Sequence, residues 1–192
     1  MEKMMLVKPT IEYKEQAIEY INEFYEYNSQ INGVGGLARY LKNDTYENWL
    51  VKIDEDEKRA ITEEKVPTKT LFLVREKDNR IIGMVNIRLA LNKKLRERNG
   101  NIGYSIRPTE RKKGYNKYNL FLALLECQKA GLKSVMLDCE KSNIGSAKTI
   151  QALGGKLEKE YLDTQINEIE QIYWIDVDNS NKWQQVKIYR LN

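Results

Sequence analysis

Residues 103–116, Gly103-Tyr104-Ser105-Ile106-Arg107-Pro108-Thr109-Glu110-Arg111-Lys112-Lys113-Gly114-Tyr115-Asn116, pass from an apolar strand pattern through a basic turn into a strongly apolar helix pattern. A chain that leaves a strand and opens a helix presents amide groups with no partner inside the helix. They stand at the positive end of the helix dipole and favour phosphate oxygens. Gly114 lets the backbone approach a diphosphate closely, because it has no β-carbon and takes positive φ freely. Arg111, Lys112 and Lys113 add charge beside it. Alone, the hexapeptide 111–116 also suits a solvated turn, so its neighbours decide its meaning.

Downstream, the spacing predicts a helix over 114–130, a strand over 133–139, a helix over 143–153 and a strand from Lys156 onward. Gly131 and Gly154 fall just past the two helices, where a C-terminal glycine is expected. Residues 170–177 read as a last strand, with Ile172 and Trp174 on one face and Tyr173 and Ile175 on the other. Upstream, 101–107 reads as a strand and 92–100 as a polar connection. Residues 70–75 and 80–89 form a hairpin closed by the turn residues Lys77, Asp78 and Asn79. The chain opens with a short strand over 4–7 and a helix from Ile11 to about Tyr27, in which Ile18, Ile21 and Phe24 recur at helical spacing. After a break at 32–36, one helical region is expected over 37–59, its charged stretch 54–58 a solvated end. The fold class is mixed α/β (α+β), with an antiparallel N-terminal hairpin running into a β-α-β-α-β half, in a single domain spanning 1–192.

Composition narrows the chemistry. The 32 basic and 28 acidic residues leave a net charge of +4, too small and too dispersed for a nucleic-acid surface but compatible with a polyanionic small ligand. No run approaches the ~18 apolar residues of a membrane span, and the N-terminus lacks the pattern of a signal peptide. Cys127 and Cys139 fall inside apolar helix and strand patterns and read as reduced core residues, which places the protein in the cytoplasm. The chain contains 0 histidines, so histidine triads, histidine-ligated zinc and histidine bases are excluded. No metal is expected. Residues 33–38 fit a loose G-x-G-x-x-A, yet they follow a helix rather than a strand, which argues against a dinucleotide site.

In this setting residues 101–160 resemble the GNAT superfamily of N-acetyltransferases. The resemblance rests on G-Y-S-I-R-P (103–108), on Arg111, Gly114 and Asn116 in the family's pyrophosphate loop Arg/Gln-x-x-Gly-x-Gly/Ala, and on N-I-G-S-A-K-T-I (143–150) ending in Leu153-Gly154-Gly155. It implies a central, mostly antiparallel and partly parallel sheet flanked by helices, its most specific part about 70–177. It implies acetyl-coenzyme A as acyl donor and an amine as acceptor, with no nucleic acid or membrane partner and a possible homodimer. Ser105 and Ile106 would lie along the pantetheine arm. Arg111, Lys112, Lys113, Gly114, Tyr115 and Asn116 would lie at the diphosphate, and Asn143 close to the coenzyme.

Three positions depart from the family. Asn116 stands where Gly or Ala is common, Ile150 where a general-acid tyrosine is common, and Asn101 where a charged group is common. The base and acid must therefore come from elsewhere. Asp138 and Glu140, at the end of the strand 133–139, are candidates for the base, and Tyr104 or Tyr173 for the acid that returns a proton to the thiolate. Arg88 is a candidate for an anionic part of the acceptor. The alternative is a module on the same fold that binds coenzyme A or a metabolite without turning it over.

Overall fold

The computed structural model describes residues 2–165 and 167–177. Four strands, β1 (Met4–Val7), β2 (Thr68–Arg75), β3 (Arg80–Arg88) and β4 (Ile102–Ile106), form one sheet in that order. Three more, β5 (Ser134–Glu140), β6 (Lys156–Asp163) and β7 (Glu168–Asp176), form a second sheet with β7 in the middle. Every pair within either sheet is antiparallel.

Alternation along β2 and β3 explains why both are apolar on both faces. Phe72, Val74, Ile81 and Met84 pack under α1 (Lys14–Glu26), α2 (Leu37–Asn43) and α3 (Tyr46–Lys58). Leu71, Val85 and Ile87 share a second core with α5 (Tyr115–Lys129), α6 (Ile144–Ala152) and the inner residues of β5 and β7. Two helical layers thus enclose the first sheet. Among the described residues no helix is long and apolar enough to cross a membrane.

Three local expectations are corrected. The region 37–59 is two helices, because Asp44 is extended (φ −154°, ψ −150°) and the Thr45 side chain caps α3 by accepting from the amide of Asn48 at 3.1 Å. The polar connection 92–100 contains α4 (Lys93–Glu97), capped in the same way by Asn92, which accepts from the Leu95 amide at 3.0 Å. The sheet is not continuous either. Asn101 joins its two parts, donating from its amide to the Met136 carbonyl (2.7 Å) and accepting from the Met136 amide on Oδ1 (2.8 Å). Its Nδ2 donates to the Arg88 carbonyl (2.9 Å). No strand pair links β4 to β5 beyond this point among the described residues, which leaves one edge of β4 open.

The connection between α1 and α2 lies directly on β4. Gly33 (φ +66°) sits so close that a β-carbon there would stand 2.3 Å from the amide nitrogen of Tyr104. The connection is anchored further on, where Trp49 Nε1 and Lys52 Nζ both donate to the Gly35 carbonyl at 3.0 Å. Gly131 shares the left-handed backbone (φ +82°) but has nothing within 4 Å of its would-be β-carbon. Gly33→Ala should therefore cost roughly 2–4 kcal/mol, the sum of backbone strain and overpacking, whereas Gly131→Ala should cost about 1–2 kcal/mol from strain alone. Urea unfolding of the two variants separates the contributions, and equal costs would contradict the close approach of Gly33 to β4.

Candidate active site

The open edge of β4 is addressed by parity. The Arg88 amide donates to the Asn101 carbonyl (2.7 Å) and the Arg107 amide to the Ile82 carbonyl (3.0 Å), so odd-numbered residues of this strand turn their backbone groups toward β3. The backbone of Ser105 is therefore used inside the sheet, and its hydroxyl is bonded to that of Tyr20 at 3.0 Å. Tyr104 and Ile106 instead turn their amides and carbonyls to the unpaired side. Of these, the Ile106 carbonyl accepts from Arg111 Nε at 3.1 Å.

After β4 the chain is held by a buried ionic node. Arg107, fully buried, donates to Glu23 (2.7 Å), Glu19 (2.9 Å) and the Ile81 carbonyl (3.1 Å). Glu23 also accepts from the amide and the hydroxyl of Thr109, each at 2.8 Å. Burial alone would raise the Glu23 pKa, but the Thr109 donors and the Arg107 charge outweigh it and hold the carboxyl below its ordinary value. This node fixes the turn that presents residues 111–116. Lys112 (φ +63°) and Gly114 (φ +83°) then take left-handed conformations, with Gly114 the residue before α5. Among the described residues the amides of Lys113, Gly114, Tyr115 and Asn116 find no protein acceptor, as the first turn of a helix dictates.

Edge and turn border one cavity of about 930 Å³. Ser105, Ile106, Lys112, Gly114, Tyr115 and Asn116 line it on one side, and Asn143 with α6 on the other. Asn143 caps α6 by accepting from the Ser146 amide (3.1 Å), and the Ser146 hydroxyl meets that of Tyr104 at 2.6 Å inside the cavity. Burial keeps the Tyr104 phenol far above its ordinary pKa, so it stays protonated. Residues 28–30 and Asn32 close the opposite wall. The sequence spacing N-x-x-S makes the Asn143 cap readable but gives Ser146 no role in a site. Its contact with Tyr104, 42 positions away, belongs to the tertiary structure.

Several expected residues stand elsewhere. Arg111 lines the cavity, and its guanidinium is engaged with Ile106, with the Ser29 hydroxyl (2.8 Å) and with the face of Phe24 (5.3 Å), so it clasps two segments together on the cavity wall. Lys113 turns away to pair with Glu110 at 2.9 Å. Tyr173 is in the second core, donating to Gln171 at 2.8 Å. Arg88 lines a separate, smaller cavity of about 240 Å³ and donates to the Asn99 carbonyl at 2.8 Å and the Gly100 carbonyl at 3.1 Å. Asp138 and Glu140 lie on the opposite face of β5 from α6, with Asp138 accepting from the Asn99 amide at 2.6 Å. Ile150 is fully buried core, and Asn101 is committed to the sheet junction. Among the described residues no group of three or more acids or cysteines is placed to hold a metal.

Comparison with known proteins bears on this geometry. No curated protein matches the sequence. Among solved structures, the Microcin C7 self immunity acetyltransferase MccE in complex with acetyl-CoA and AMP is similar at a TM-score of 0.64 and 18% identity, covering 91% of this chain and 92% of that one. The ribosomal-protein-S5-alanine acetyltransferase from Vibrio fischeri is similar at 0.64 and 19%, with 93% and 94% covered. The spermidine/spermine N-acetyltransferase SpeG from Vibrio cholerae is similar at 0.61 and 14%, with 94% and 98% covered. These likenesses establish the fold. The family model of the acetyltransferase (GNAT) domain matches residues 14–156, which include both walls of the cavity. The chain belongs to the GNAT acetyltransferase family, and its activity is acetyl-CoA-dependent N-acetyl transfer.

Proposed function

We propose that this acetyltransferase holds acetyl-coenzyme A along the open edge of β4, with its diphosphate at the amides of Lys113, Gly114, Tyr115 and Asn116. We further propose that the acetyl group passes directly to a primary amine in a ternary complex, without a covalent enzyme intermediate. One observation carries this reading: the unpaired edge of a strand and the unpartnered amides of a helix start line the same cavity. The residues present fit the group. Lys112, Lys117 and Lys148 place positive charge around the cavity, and the buried Oδ1 of Asn116 has no partner among the described residues, so it can take an N–H or O–H donor.

When bound, acetyl-coenzyme A supplies a thioester whose carbonyl carbon is open to an amine. The chain's own groups do the rest. The amide of Ile106 and the amide and carbonyl of Tyr104 hold an extended arm in the manner of an added strand. The Tyr104 hydroxyl, positioned by Ser146, donates the proton that the departing sulfur needs. Asn28, Ser29, Gln30 and Asn32, on the cavity wall, keep water from the reacting carbon. Holding two reactants together can lower the barrier by ~7–11 kcal/mol, so a site with few ionisable groups is adequate. We place the enzyme in the cytoplasm. Cys127 and Cys139 are buried and unbonded to one another, and burial pushes their thiols up to about 12 and about 11, so neither is reactive.

Gly114→Val puts a branched side chain at a positive-φ residue on the diphosphate wall. Coenzyme A binding by calorimetry should weaken at least ~10-fold in a variant whose unfolding midpoint shows it folded. Unchanged affinity would move the diphosphate elsewhere. Tyr104→Phe should lower acceptor-dependent thiol release by ~100-fold, leave coenzyme A affinity within about twofold, and leave the pH profile of the residual rate unaltered below pH ~10, since the native phenol does not titrate there. A full rate in this variant would remove Tyr104 from the mechanism, and coenzyme A binding without thiol release across a broad amine panel would make the protein a binding module.

A further inference from the structure

A second concentration of positive charge lies away from the coenzyme cavity. Arg88 ends β3, and its side chain lines the smaller cavity of about 240 Å³ together with Arg59 after α3, the chain leading into β2, and Lys94 and Leu95 of α4. No described residue lines both cavities. They lie at opposite ends of β4, the small one beside Asn99 and the large one beside residues 104–106.

Backbone groups hold the Arg88 guanidinium in place without neutralising it. Asn99 (φ +75°) and Gly100 (φ +50°) are both left-handed, and their carbonyls accept from Nη1 at 2.8 Å and 3.1 Å. Nη1 is thereby fully used, whereas Nε and Nη2 make no hydrogen bond among the described residues. Those two nitrogens form the edge of a guanidinium that meets a carboxylate or phosphate through two parallel N–H···O bonds. No carboxylate among the described residues stands within ion-pair distance of Arg88. Burial lowers its pKa, and the charge of Asp138 offsets this only in part.

The rest of the wall favours the same kind of ligand. Lys65 and Lys94 are exposed on it and have no ion pair among the described residues. Arg59 is already paired with Asp56, and Glu64 is the one carboxylate on the wall, so the charge there is positive in sum. The neutral polar side chains are engaged. Asn92 accepts from the Leu95 amide and donates to the Glu63 carbonyl (2.8 Å), and the Thr68 hydroxyl donates to the Val66 carbonyl (3.0 Å). Charged N–H donors are what this wall has to offer, and an oxyanion is what they bind best. The volume falls below the ~300–1,000 Å³ of sites for drug-sized ligands, which suits a small one.

We infer that this pocket is a second binding site, for the carboxylate or phosphate group of a small anion, which Arg88 grips through Nε and Nη2 while Lys65 and Lys94 add charge from the rim. The backbone of Arg88 is paired with Asn101, its amide donating to the Asn101 carbonyl (2.7 Å) and its carbonyl accepting from Asn101 Nδ2 (2.9 Å). An anion held by Arg88 is therefore anchored next to the junction of the two sheets and stabilises the fold there. The inference stands apart from the placement of acetyl-coenzyme A.

The test is calorimetry on the full chain saturated with coenzyme A, so that the larger cavity is occupied, titrated at constant ionic strength with inorganic phosphate and, separately, with succinate. At least one of the two should bind saturably, and the tighter of them tells whether the pocket takes a phosphate or a carboxylate group. Arg88→Gln should weaken that anion by about tenfold or more, because charge-assisted hydrogen bonds are lost. Lys65→Gln combined with Lys94→Gln should weaken it about fivefold, and Glu64→Gln, which removes the opposing charge, should tighten it about twofold. Coenzyme A affinity should stay within about twofold in all three, since none lines its cavity. The unfolding midpoint of the parent should rise with the concentration of the bound anion, and rise less in the double lysine variant. Arg88 also holds the Asn99 and Gly100 carbonyls, so the exposed lysines decide the matter if Arg88→Gln does not fold. No saturable binding of either anion, or binding that the double lysine variant leaves unchanged, overturns the inference.

Discussion

The side chain of Asn101 sets the geometry of this protein. By accepting from the Met136 amide and donating to the Arg88 carbonyl, it satisfies backbone groups of both sheets at a single junction, while its own backbone amide donates to the Met136 carbonyl. Past that junction β4 pairs only with β3, so its second edge is unpaired. An unpaired edge inside a protein would be costly if nothing met it, because buried amides and carbonyls demand partners. Here the edge borders the cavity. An amide side chain serves this purpose well. A carboxylate at position 101 would accept from Met136 but would offer the Arg88 carbonyl no donor.

A second constraint acts at the far end of β4. Arg107 is fully buried against Glu23, Glu19 and the Ile81 carbonyl, and Glu23 also accepts both donors of Thr109. Removing one partner from such a group leaves an uncompensated charge in the interior, a loss of about 3–5 kcal/mol. That cost gives the turn after β4 one conformation, which in turn orients the start of α5. Arg111 adds a clasp from the same turn to Ser29 and Phe24, so the α1–α2 connection, the edge strand and the helix start form one rigid rim. Preorganisation of this kind lets backbone dipoles hold a polyanion with little reorganisation.

The chain has no histidine, so the perturbed groups of interest are phenols and carboxyls. The two kinds of group are pushed the same way by one cause. Burial raises both the Tyr104 phenol and the Glu170 carboxyl, which keeps the first protonated and brings the second to about 7.

What the sequence determined by itself is what local chemistry decides. The passage from strand to basic turn to helix, the capping Asn143, the terminal glycines and the buried cysteines depend on neighbours a few positions away. Two caps, at Thr45 and Asn92, are equally local, but the first lies inside a run whose apolar spacing reads as one helix and the second inside a polar stretch that reads as a loop. Tertiary structure alone decided what depends on register and burial. Whether Ser105 or its neighbours face the open edge follows from pairing with β3, and a shift of one residue would reverse it. The engagement of Lys113 and Arg111 with Glu110, Ile106 and Ser29 is likewise something that the spacing of a motif does not reveal. Glu170 reads in the sequence as an ordinary strand residue. Its burial between Glu140 and Tyr161 comes from two other strands, because a sheet sets its side-chain neighbours across the chain rather than along it.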